Sequence, residues 1–353
     1  MDLEFHYYIT FIAAAHAGFS NEQAQRIAYS SQYVDNNLYT HRVFCPLHST
    51  VYENEISATF SPFASQQVNK TLLCHHFLPG NGDDYYIVTP NSPLANQLLH
   101  QALHSKDPYL IGIAAHAYSD TWAHQNFKGF YDSHNAADNF TSNLIPAIGH
   151  AQFGIVPDCV AIRWQDPRTG RYIFNNIRFR DAALCLFDHF AAFNNLPNST
   201  KSRNELSLQL RKLLGKTQDY FILRHEMTSR SRIKKYIAEA KIKYGYYLPY
   251  YDEDLWWEEA VEHRNMNYFW KCGNYCESNW YRFQEAVKKW KSMAWQEINP
   301  EGNLSVGNYT ENTCEAGAGN RSTYHTFIKL LGERSYIEHL RSELRENIGE
   351  YRK

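Results

Sequence analysis

Between Asp107-Pro108 and Gly129 the chain places His116, Asp120 and His124 four residues apart, and this spacing constrains everything else. Asp107 is a favourable N-cap and Pro108 suits a first helical position, so a helix starts there. Each four-residue step advances roughly 6 Å along a helix and rotates about 40° past a full turn, so the three side chains share a face. Leu110, Ala114 and Ala117 lie nearby, small or apolar rather than bulky and polar. Ionisable groups on a buried stripe are costly unless paired, and a divalent cation pairs imidazole, carboxylate and imidazole together. Hydrogen-bonded core histidines are the alternative reading. His100 and His104 repeat the i, i+4 spacing without a carboxylate on their face and read as surface or packing residues.

Charge is uneven although the net is only -2. Through residue 160 there are 13 Asp and Glu against 5 Lys and Arg, and 12 of the 17 histidines; residues 201–245 hold 12 basic and 4 acidic side chains, a net of +8. An acidic, His-rich half beside a basic segment fits a polynuclear cation site next to an anion-binding surface, although ordinary solvated helix faces also explain the basic part. Seven irregularly spaced cysteines make no disulfide framework in 353 residues, and Cys272 and Cys276 read as packing residues. The start carries acids where an export signal needs positive charge, and no run reaches the apolar length of a membrane span. The expectation is a soluble, cytoplasmic protein without a transmembrane segment.

The expected fold is mainly α: a large helical domain with one small β-hairpin near residues 160–175. Residues 1–160 form a metal-binding helical core, and 161–353 continue the helical body with basic and aromatic-rich segments packed as one unit with the first. Residues 3–17 read as a helix or an extended entry carrying His6. Ser20-x-x-Gln23 is a capping box opening a helix that ends near Asp35, itself readable as turn punctuation. Residues 38–92 read as irregular, with His75-His76 at the centre; adjacent histidines cannot share a helix face, so at most one reaches a common site. A helix over 93–105 precedes the central one. His150 follows Gly149, which lets it turn inward, and Asp158 follows Pro157. Gln165 to Gly170 make the hairpin turn, the only clear strand signal. Helices follow over 178–194, 206–214, 220–244, 252–270 and 279–295, then a loop over 299–320 and a closing helix over 323–351. The aromatics from 246 to 295 read as helical core rather than a stacking platform. No Walker sequence, Gly-rich phosphate loop or G-x-S-x-G elbow is present.

Phe5-His6-Tyr7-Tyr8, Ser31-Gln32-Tyr33-Val34-Asp35, His76-Phe77 and Ala115-His116-Ala117-Tyr118-Ser119-Asp120-Thr121-Trp122-Ala123-His124-Gln125 together resemble the zinc-dependent phospholipase C and S1/P1 nuclease superfamily, in an uncharacterised bacterial branch. The likeness covers about residues 1–160. It implies a mainly helical fold with two or three zinc ions. Asp35, His76, His116 and Asp120 would hold one, with Asp120 bridging to a second that also takes His6. His124, His150 and a downstream carboxylate, chosen as Asp158, would hold the third. Exported members use the amino terminus of a mature Trp as a ligand; here Met1 precedes Asp2, which predicts a retained methionine and a second site that either borrows Asp2 or Glu4 or stays empty. The third-site histidine sits closer to the His-x3-Asp unit than in well-known members, and Gly154 stands where an acid would follow His150.

Mixed His and carboxylate ligation suits Zn²⁺, with Mn²⁺ or Fe²⁺ also compatible. A bound metal lowers the pKa of water towards about 7, and paired metals clamp both oxygens of a phosphodiester. The expected function is therefore a metal-dependent phosphodiester hydrolase using a zinc-bound hydroxide. Asp35 would both ligate and orient the attacking water, and basic residues such as Arg224 or Arg230 would neutralise a phosphate-containing substrate, whether lipid, nucleic acid or small nucleotide. The alternative is a non-catalytic metal-stabilised binding module. An HD-type phosphohydrolase is disfavoured because no His-Asp dipeptide lies in the N-terminal half.

Overall fold

Residues 1–45, 47–58, 70–82, 84–137, 145–219, 222–271, 273–302 and 304 are described in the computed structural model. Glu4–Ile9 forms a π-helical turn with every side chain buried and runs directly into α1 (Thr10–His16). π-turns widen a helix and recur at functional sites; this one carries His6. The Ser20–Gln23 capping box closes reciprocally and opens α2 (Asn21–Asn36), with Asp35 next to last. Then come β1 (Arg42–Cys45), β2 (Thr50–Glu53), α3 (Lys70–His75), α4 (Pro93–Ser105) and α5 (Pro108–Ala123). Beyond lie β3 (Ile162–Asp166), β4 (Arg171–Phe174), α6 (Asn175–Phe193), α7 (Ser199–Leu214), β5 (Gln218–Asp219) and α8 (Ile222–Tyr244). The described chain closes with α9 (Leu255–Ala260), β6 (Val261–Arg264), β7 (Asn267–Trp270) and α10 (Asn279–Ile298).

The fold is mainly helical, and α5 is its axis. From Tyr109 to Ala123 every residue is buried, as in a helix surrounded by partners on all sides. It packs against α2, α4, α6 and α10. Gly112 allows the α2 approach: a Cβ there would lie 2.4 Å from the Ile27 carbonyl oxygen and 2.5 Å from Ser30 Cβ. One apolar cluster runs from Met1 to Ile298, joining both halves of the chain, and a smaller one holds Phe77, Val88, Phe127, Cys159, Ile162 and Trp164. No helix among the described residues is long and apolar enough to cross a membrane.

The structure corrects three expectations. The hairpin at β3–β4 is present, with β5 added in parallel, but it is not the only strand signal: β2-β1-β7-β6 form a second sheet. Two of those strands lie in the stretch read as irregular and two in the one read as the 252–270 helix. There Asn265 and Met266 both adopt positive φ, +46° and +64°, in a two-residue turn between β6 and β7. A Met at positive φ is an unusual turn residue, so the turn hid behind helix-compatible composition. Trp270, Trp280 and Trp290 are all buried core. Finally, α5 stops at Ala123 and His124 is its C-cap, because the chain turns away at Asn126 with φ +65°. Cys272, the side chain of Arg224, most of the loop after 299 and the closing helix over 323–351 lie outside the described residues.

Candidate metal centre

Five segments deliver the site: the π-turn brings His6, the end of α2 brings Asp35, and the residue after α3 is His76. The axis helix supplies His116, Asp120 and its cap His124, and the turn before and after residues 151–153 adds His150 and Asp158. All eight residues named from the sequence converge. They form three groups able to hold a metal ion, the first two sharing His116: His6 with Asp35 and His116, His76 with His116 and Asp120, and His124 with His150 and Asp158. Within each group the ligand atoms lie within 4.8 Å of one another.

Each imidazole is anchored by its outer nitrogen. His116 Nδ1 meets the Ser31 carbonyl at 2.7 Å, His76 Nε2 the Ser57 carbonyl at 3.1 Å, His124 Nδ1 the His76 carbonyl at 2.7 Å and His150 Nδ1 the Gly154 carbonyl at 2.9 Å. A carbonyl only accepts, so those nitrogens carry the proton and the inner nitrogens of neutral rings present lone pairs. Gly154 therefore contributes a carbonyl in place of an acid, and Asp158 supplies the carboxylate, 3.0 Å from His124 Nε2 and 3.2 Å from His150 Nε2. His6 faces the Ser31 hydroxyl at 3.4 Å and stacks on His116 at 3.9 Å. Its Nε2 lies 3.1 Å from Asp120 but out of hydrogen-bond alignment, a buried nitrogen with no hydrogen-bond partner.

Acceptors thus crowd together. His76 Nδ1 and His116 Nε2 are 3.1 Å apart, and each is 3.2 Å from Asp120 Oδ2. Three lone-pair atoms in a dry interior repel unless a positive charge joins them. The titration behaviour agrees. Burial opposes charge on His76, yet Asp120 and Asp35 raise its basicity above the usual range. Burial likewise disfavours the Asp120 and Asp158 anions, but the surrounding positive charge and imidazoles hold both well below the ordinary carboxylate range. Burial drives His6 well below its ordinary value and His150 down to about 4. Asp35, with 33% of its side chain exposed at the mouth, is pushed upward by desolvation. The donor set fits a divalent cation: imidazoles anchored by their outer nitrogens, together with the Asp120 and Asp158 carboxylates held in their ionised form.

Sequence reasoning missed several parts. The Met1 amino group is buried between Asp120 and Asp158, 3.3 Å from the latter, and is pushed up to about 11 as those carboxylates outweigh its burial. Neither substitute donor reaches the site. Asp2 accepts the backbone N–H groups of Glu4, Phe5 and Val160, and Glu4 forms a bidentate pair with Arg232 at 2.7 Å plus a bond from Tyr236. Arg178, in α6, donates to the carbonyls of Trp122, Ala123 and Pro157, tying the end of α5 to the residue before Asp158. Phe77 stacks on His124 at 4.5 Å. Nothing local in the sequence marks these, because each bond joins distant segments.

A cavity of about 180 Å³ opens over the cluster, with Ala58, Leu72 and Phe77 as its apolar wall. No Lys or Arg side chain lines it among the described residues; Arg230 is exposed elsewhere on α8. His75 is buried but turned to the Thr71 carbonyl of its own helix. No curated protein and no solved structure matches the chain. A family model described as a family of unknown function, DUF6765, matches residues 1–298. That match spans most of the chain, and the protein belongs to this family.

Proposed function

We propose that the protein is a metal-dependent phosphodiester hydrolase with Zn²⁺ as the natural ion. The observation that carries this reading is the convergence of anchored imidazoles on Asp120, with His76 Nδ1 and His116 Nε2 each 3.2 Å from its Oδ2. His76, His116, Asp120 and Asp35 would hold one ion, His6 and Asp120 a second, and His124, His150 and Asp158 a third. Such ions supply Lewis acidity and make water acidic near neutral pH. The chain's own residues do the rest. Asp35, partly exposed at the mouth, accepts a hydrogen bond from the attacking water and holds it towards the cluster. Phe77, Leu72 and Ala58 limit bulk water on the open side.

One observation favours the second reading, a metal-stabilised binding module: among the described residues the cavity has no Lys or Arg side chain to meet a phosphate. Metal analysis of purified protein and turnover of bis-p-nitrophenyl phosphate separate the two. Turnover that falls on chelation and returns with Zn²⁺ supports hydrolysis. Bound metal with no hydrolysis across diester and monoester panels leaves the module, and protein that neither holds nor recruits metal ends both.

A further inference from the structure

Helix α8 has two faces. Inward, Arg232 and Tyr236 reach Glu4 at 2.7 and 2.9 Å, so the helix is bolted to the π-turn that carries His6. Outward, Met227, Arg230, Lys234, Lys235, Lys241 and Ile242 recur at helical spacing on one exposed face. The four cations make no ion pair with a described carboxylate. Glu239, the acidic side chain described in this helix, is turned aside to accept from Gln209 of α7. Met227 is 74% exposed and Ile242 81%, among the most exposed apolar side chains described.

We propose that this face docks the protein on an anionic membrane surface. The surrounding segment, residues 201–245, carries a net of +8, the complement of an anionic leaflet. Aliphatic tips set among lysines are what an interfacial helix buries at the headgroup boundary, and α8 lies on the surface without the apolar length to span. Nucleic acid is the poorer fit. Met227 and Ile242 gain nothing from phosphates, and the outward face has no described aromatic ring for base stacking. The inference is independent of the metal reading, since it rests on the opposite face of α8 from the one that grips Glu4.

The test is co-sedimentation of the full chain with phosphatidylcholine vesicles and with vesicles containing about 30% phosphatidylglycerol. Binding to the anionic vesicles alone, weakened at 0.5 M salt, is expected. Lys234→Glu, Lys235→Glu and Lys241→Glu together should weaken it at least a hundredfold, because each cation near such a surface is worth roughly fivefold. Lys→Gln at the same three positions should lose less. Met227→Ser with Ile242→Ser should weaken binding while keeping its salt dependence. Melting curves and metal content serve as fold controls, as all these positions are exposed. Equal partition of wild type between the two vesicle types overturns the proposal, as does binding that the charge reversal leaves unchanged. Wild-type binding to duplex DNA but not to vesicles would instead assign the face to nucleic acid.

Discussion

His116 Nε2 and His76 Nδ1 face each other across 3.1 Å while their far nitrogens meet the Ser31 and Ser57 carbonyls. Asp120 closes the triangle. Its carboxylate is also close to His6, His124 and the Met1 amino group. Asp120→Asn keeps the shape and removes the shared charge, so at least one ion should be lost per chain, read by elemental analysis. Chelation of wild type should lower the melting temperature by several degrees, since ligand at a thousand times Kd is worth about 4 kcal/mol. Unchanged metal content in the variant would contradict the central role given to Asp120.

Arg178 joins the carbonyls of Trp122 and Ala123 to that of Pro157, and so sets the distance from His124 to Asp158. Arg178→Met should release the ion held by His124, His150 and Asp158 and leave the others. Arg178→Lys should not restore it, because one ammonium lacks the planar fork that reaches three carbonyls. Loss of all ions together, or of none, would refute a local role.

Gly112 sets how closely α2 approaches the axis helix. In Gly112→Ala the methyl group meets the Ile27 carbonyl, a crowding worth about 1–3 kcal/mol. Ser31 and Asp35 lie on the displaced helix, so metal affinity should fall along with the denaturation midpoint. A variant with wild-type stability and metal content would show that the helices separate without cost.

Glu4 is 1% exposed and neutralised by Arg232. Arg232→Met should cost about 3–5 kcal/mol by stranding a buried carboxylate. Adding Glu4→Gln should recover part of it, a non-additivity that urea titration of the double-mutant cycle can measure. Strict additivity would mean that the pair contributes nothing jointly.

In metal-free protein His150 and His6 weaken the fold in acid, whereas His76, whose basicity is raised, acts in the opposite direction. The folded pKa of His150, about 4, lies below the ordinary 6.5. Between those values the unfolded chain binds more protons, so stability is full above pH 6.5 and falls as the pH drops towards 4. The loss from this residue approaches about 3 kcal/mol, roughly 2.5 units at about 1.4 kcal/mol each. His6 adds to it in the same direction, its pKa also being lowered. Urea midpoints of chelated protein at pH 7 and pH 5 measure the effect, and equal midpoints would exclude it.

What was legible in the sequence is what a local rule controls. The capping box at Ser20, the Asp107 cap and the four-residue spacing of His116 and Asp120 define α2 and α5, because each depends on neighbours within one helical turn. His116, Asp120 and His124 could be named from their four-residue spacing, whereas His6, Asp35, His76, His150 and Asp158 were implied as a set only by the resemblance to the phospholipase C and P1 nuclease superfamily. Tertiary structure decided the rest. Whether 252–270 is helix or hairpin depended on pairing with β1, more than two hundred residues away. The tautomers, and with them the direction of every lone pair, came from carbonyls brought in by other segments. The Glu4–Arg232 pair, the Arg178 clamp and the Met1 amino group in the site all join segments far apart in the chain. Such bonds form only when distant backbone is packed together, and a linear pattern carries no record of them.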